Sequence, residues 1–141
     1  MIKFDELLLK MIYHIPSHMS DLPVYKKAMD IIALSRNISS YLNQDLSILQ
    51  ENGSEDENIY FSGDIVQQSS SLAPEILNAE RERFSDRKHK HIASVENLTN
   101  SLYKNSYRLE KSNSDGKDFL PILRRELRKF KQLQRTWMLT L

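Results

Sequence analysis

The sequence predicts an all-α protein: an up-down-up-down four-helix bundle, with a short extra helix as an option at the N-terminus. Apolar residues recur at steps of three and four along almost the whole chain, the period of a helix with one buried face. No run alternates with period two between turn signals, so nothing points to a sheet. With 3 Gly and 4 Pro in 141 residues, turn formers are too few for a β-sandwich or a low-complexity chain. The length suits one domain, read as an N-terminal extension or short helix over 1–20 and the bundle over 21–141.

The first long helix follows Ser20-Asp21-Leu22-Pro23, where Ser or Asp offers a cap and Pro suits a first turn. Val24, Ala28, Ile31, Ser35, Ile38 and Leu42 form its stripe, widened by Ile32, and it ends between Leu42 and Leu49. Residues 50–58 contain four acids and no apolar residue, which reads as a loop. The second helix spans about 60–84, with Phe61, Ile65, Ser69, Leu72, Ile76 and Ala79 on one face. Pro74 interrupts its hydrogen bonding, and because the apolar period continues through it, one helix kinked near Ser70–Ser71 is favoured over two helices. The third spans about 86–112, capped by Ser85 or Asp86, with Ile92, Val95, Leu98, Thr99, Leu102 and Leu109 as its stripe. Ser112-Asn113-Ser114-Asp115-Gly116 is the clearest turn. The last helix, about 117–141, repeats Leu120, Leu123, Leu127, Phe130, Gln134, Trp137 and Leu141 in heptad steps, with Pro121 in its first turn. Phe4, Leu8, Met11, Ile12 and Ile15 have the spacing of the optional helix over 4–15.

Chemistry is harder to find. The absence of Cys excludes disulfides, thiolate metal sites and a Cys nucleophile. His14 and His18 are separated by Pro16, His89 and His91 point to different faces of a helix, and no Glu-x-x-His pair occurs. Gly53, Gly63 and Gly116 stand alone, so no phosphate-cradling loop is present. The expectation is a non-enzymatic protein with no metal and no cofactor. Ser69-Ser70-Ser71 reads as small residues that let helices approach closely, Trp137 as core, and Tyr25 and Tyr103 as edge or interface residues. No segment is apolar over the ~18 residues a membrane span needs. Asp5, Glu6 and Lys10 interrupt the apolar N-terminus, which makes it a poor leader and cytoplasmic the default location.

Charge is the informative feature. The chain is +1 overall, yet residues 117–141 hold seven Lys/Arg against Asp118 and Glu126, leaving the rest at −4. Arg124, Arg128, Lys131 and Arg135 step by 4, 3 and 4 along one face, with Arg125 and Lys129 beside them. Such a row matches a ladder of phosphates. It is also what a solvated face opposite a heptad seam looks like, paired with acids of a neighbouring helix, and both readings stand. A second cluster, Arg81, Arg83, Arg87, Lys88 and Lys90, is diluted by Glu80, Glu82 and Asp86. In an up-down bundle it shares its end with the C-terminus of the last helix, which would bring Arg87 and Lys88 nearest to Arg135.

Leu22-Pro23-Val24-Tyr25-Lys26-Lys27-Ala28 resembles the L-x-V-Y-x-x-A opening of a bacterial four-helix-bundle family. That family comprises proteins encoded in ribosomal-RNA intervening sequences and accessory variability determinants of diversity-generating retroelements. Val66 to Pro74 with Leu77, and Ile92 to Leu98, are similar to its second- and third-helix patterns. Gln67 and Gln68 stand where the family has paired Arg, and Ala79-Glu80-Arg81 lacks the Gly of its Ala-Glu-Gly. The resemblance, over about 22–141, implies a bundle assembled as a homo-oligomer, a ring-like pentamer, which in the retroelement branch binds RNA and a reverse transcriptase through a basic surface. The functional expectation is therefore an accessory protein binding RNA, another polyanion or a nucleic-acid enzyme through the last helix. The rival is a protein–protein scaffold whose basic row meets Glu51, Glu55, Asp56 and Glu57 of a neighbouring subunit.

Overall fold

The structure, a computed structural model, describes residues 15, 17–46, 51–54, 56–112 and 114–141. The optional helix over 4–15 lies outside them, except for Ile15, as does His14. The described chain is an all-α bundle, and no strand occurs among these residues. A single turn, α1 (Ser17–Ser20), leads into α2 (Pro23–Leu46). Then come α3 (Asn58–Ser70), α4 (Leu72–Arg81) and α5 (Ser85–Glu110). A 3₁₀ turn over Asp115–Phe119 leads directly into α6 (Leu120–Met138).

α3 and α4 together make the second long rod, so four rods build the bundle. α2 packs on α3 and α6, and α5 packs on α3, α4 and α6. α2 and α5 are therefore diagonal, and sequence neighbours are spatial neighbours, as short connections dictate. One continuous core runs through all four rods, including Ile31, Leu42, Ile65, Leu102, Leu127 and Phe130. Each such side chain contributes about 1.5–3 kcal/mol by leaving water.

The stripes read from the sequence are the buried faces, with Phe61, Leu98 and Leu141 only half-buried. Three local expectations are corrected. The second rod divides at Ser71 into two helices instead of bending as one, and it ends at Arg81. Ser71 keeps right-handed backbone angles, and the Ser70 and Ser71 hydroxyls both donate to the Gln67 carbonyl, at 3.0 and 2.9 Å. Ser69 likewise donates to the Ile65 carbonyl at 2.6 Å. The serines thus compete for backbone carbonyls just ahead of Pro74, and only Ser69 is buried as a packing residue. Second, neither Ser85 nor Asp86 caps α5, since Phe84 holds the cap position without a side-chain bond. Third, Tyr25 lies fully inside the core, not at an edge.

The turn at 112–116 closes tightly. The Ser114 hydroxyl donates to Asp45 Oδ2 at 2.6 Å and accepts from the Gly116 N–H at 3.1 Å. Gly116 lies against α2, where a Cβ would come within 3.1 Å of Tyr41 Cβ. Polar pairs also cross the core: Ser39 and Ser62 hydroxyls at 2.8 Å, and Asn105 donating to Gln68 at 3.0 Å. Gln68, one of the two glutamines at the Arg-pair position, is thereby engaged inside the fold.

Candidate nucleic-acid interface

α6 forms because Pro121 sits in its first turn, no Gly follows, and its heptad seam has a core to enter. Leu120, Leu123, Leu127, Phe130, Gln134 and Trp137 are buried, as the spacing predicts. The Trp137 indole N–H donates to Glu80 Oε1 at 2.7 Å, joining the ends of α6 and α4. This contact places the α4–α5 junction and the C-terminus of α6 at one end of the bundle.

The basic row lies at the flank of α6 that faces α5. There it meets a second row with the same helical spacing: Glu96, Asn100, Tyr103, Tyr107 and Glu110, stepping by 4, 3, 4 and 3. The helices run antiparallel, so Arg124 meets the Glu110 end and Arg135 the Glu96 end. That row on α5 is the feature the sequence reading missed, although its spacing was there to be read.

Arg124 leaves the exposed face predicted for it. It is only 7% exposed, its Nη2 donates to Glu110 Oε2 at 2.7 Å, and its guanidinium lies 4.2 Å over the Tyr107 ring. The 4-3-4 spacing puts it on the stripe, but its position beside Leu123 also puts it at the edge of the seam. Lys131 is half-buried, with its ammonium 4.5 Å from the Tyr103 ring centre. Tyr103 is half-buried, so it is an edge residue as expected, and its hydroxyl donates to the Arg124 carbonyl at 3.2 Å. Burial pushes its phenol above the ordinary value, and the neighbouring Arg128 guanidinium partly opposes that rise.

Arg125, Arg128 and Arg135 are exposed, and among the described residues no carboxylate lies within ion-pair distance of them. Lys129 is exposed with its Nζ 3.8 Å from Glu126, whose other oxygen accepts from Lys27 of α2 at 3.0 Å. The bond from Lys27 holds the Glu126 carboxyl below its ordinary range, against the opposing effect of burial.

The second cluster is not brought wholly alongside the first. Arg87 lies over the Phe84 ring at 5.2 Å at the α4–α5 junction. Lys88 is half-buried. Lys90 lines a depression shared with Gln68 of α3, on the other flank of α5 from Glu96 and Tyr103. The bundle end is shared, as the topology implied, but Lys90 points around it.

No group of three or more metal-ligating His, Cys, Asp or Glu side chains occurs among the described residues. No described helix is long and apolar enough to cross a membrane. No protein-family model, curated protein or solved structure matches the chain.

Proposed function

We propose that this bundle is a non-enzymatic accessory protein that binds RNA, or an enzyme acting on nucleic acid such as a reverse transcriptase, through the outer basic face of α6. The observation supporting this reading is the set Arg125, Arg128 and Arg135, exposed and without a carboxylate partner, with Lys129 and Lys131 beside them. Guanidinium groups spaced along one helix suit successive phosphates better than they suit water alone. The partial resemblance to the intervening-sequence and retroelement family supports the same reading, together with assembly as a homo-oligomer, and the cytoplasm is the location we propose for it.

The test is the affinity for a short structured RNA across salt concentrations. With ~4 phosphate contacts, binding should weaken about 100-fold between ~50 and ~200 mM salt. Arg128→Glu combined with Lys131→Glu should weaken binding across RNA sequences and flatten that slope. Unchanged binding in the double variant would remove these residues from the interface.

A scaffold without nucleic acid is the second reading, in which the same exposed basic row meets acids of a neighbouring subunit such as the exposed Glu51 and Glu57. Light scattering separates the two. An oligomer that gains mass with RNA only at low salt supports the first reading. An oligomer indifferent to RNA that dissociates in salt supports the second.

A further inference from the structure

The α5–α6 seam opens toward its Arg135 end into a cavity of about 210 Å³. Glu96, Thr99 and Asn100 of α5 and Lys131, Gln134 and Arg135 of α6 form its wall. Two of these residues are buried, Thr99 and Gln134. The Thr99 hydroxyl is engaged, donating to the Val95 carbonyl at 2.7 Å. The Gln134 side chain is 4% exposed, and its Nε2 has no hydrogen-bond partner. An amide left unpaired inside a protein costs about 1–3 kcal/mol. A leucine at this heptad position would avoid that cost and fill the seam. Gln134 therefore keeps a free donor where the core would be better served by none.

The surrounding groups point to the ligand. Lys131 and Arg135 are cations on one wall, and Glu96 is a carboxylate on the other. A simple anion would be drawn by the first pair and repelled by Glu96. A nucleotide satisfies all of them. Its phosphate answers the cations, while its base edge offers both donors and acceptors to Glu96, Asn100 and Gln134. Pockets for drug-sized ligands run to about 300–1,000 Å³, so this one has room for a single base and not for two. Paired bases have their edges occupied, so the base must come from an unpaired position.

We infer that the α5–α6 cavity receives one unpaired nucleotide of the RNA drawn in by the α6 face, an inference that rests on the RNA-binding reading above. Gln134 and Asn100 read the base edge, and Arg135 and Lys131 hold its phosphate.

The experiment compares a single-stranded RNA dodecamer with the same strand in a blunt duplex by fluorescence anisotropy, at fixed salt and across a salt series. Wild-type protein should prefer the single strand. Gln134→Leu should lose about 10-fold in single-strand affinity, the equivalent of one or two hydrogen bonds, with duplex affinity and salt slope unchanged. Its Tm should not fall, because an unpaired buried amide is replaced by an apolar side chain. Asn100→Ala, at an exposed position that does not threaten folding, should lose the preference in the same direction. RNA binding with equal affinity for strand and duplex, or with the preference intact in both variants, would overturn the cavity assignment and leave the α6 face standing. No binding to either form would bring down both.

Discussion

The two ends of the α5–α6 seam are built from the same kinds of residue and end up in different states. At one end Arg124 is buried against Glu110 and Tyr107. At the other, Arg135 is exposed, Glu96 is exposed, and a cavity separates the helices. In the amino-acid sequence Arg124 and Arg135 are equivalent members of one 4-3-4 row. The difference comes from what α5 places opposite them. A carboxylate at 2.7 Å and an aromatic ring turn the first arginine into a structural clip. Without an ion pair the second remains available to a ligand.

The largest effect is expected at Arg124. Arg124→Ala strips the cover from Tyr107 and leaves Glu110 unpaired. It should destabilise the bundle by about 2 kcal/mol, below the range for fully buried pairs because Glu110 is partly exposed. Urea unfolding checks this, and a loss under ~0.5 kcal/mol would return Arg124 to the surface row.

Gly116→Ala tests the same end through its closing turn. Tyr41 Cβ at 3.1 Å is anchored to the backbone and cannot rotate away, so α2 or the turn must shift. A cost of about 1 kcal/mol is expected, seen as a lower Tm. A rise in Tm would show that the turn has slack and that α2 is not tightly clamped there.

A smaller effect lies on the other flank of α6. The folded Glu126 carboxyl sits below its ordinary value of 4.5, chiefly through the bond from Lys27. A depressed carboxyl contributes stability above the unfolded value, and that contribution disappears as pH falls through the folded value. Wild type should therefore lose stability on acidification below about pH 4.5 more steeply than Lys27→Met. Parallel stability curves for the two proteins would mean the Lys27–Glu126 bond does not form in solution.

Least of all should happen to stability at the open end. Arg135→Ala should change unfolding free energy by no more than about 0.5 kcal/mol while weakening RNA binding at low salt. A stability loss comparable to that of Arg124→Ala would erase the distinction between the two ends.

Much of the fold was legible because burial and period are properties of a single helix. The Leu120 to Trp137 repeat marked its buried face without reference to any partner, and the stripes of α2 and α5 did the same. Other features depend on two helices at once. Tyr25 looked like an edge residue because a tyrosine is amphipathic, and it became core because α2 buries that position completely. Pro74 was legible as an interruption, because it offers no N–H to the Ser70 carbonyl, but the division into two helices at Ser71 is a backbone outcome that the unbroken apolar stripe does not register.

The helical class, the antiparallel order of the rods, the seam of α6 and the excess of positive charge beside it are all written in the amino-acid sequence alone. These follow from a 3.6-residue period and from short connections, both local in the chain. The enclosure of Arg124, the unpartnered Nε2 of Gln134 and the cavity beside Arg135 arise only when the helices pack. Those outcomes depend on the rotation and register of α5 against α6, because a side chain's partner is set by the neighbouring helix that packs against it.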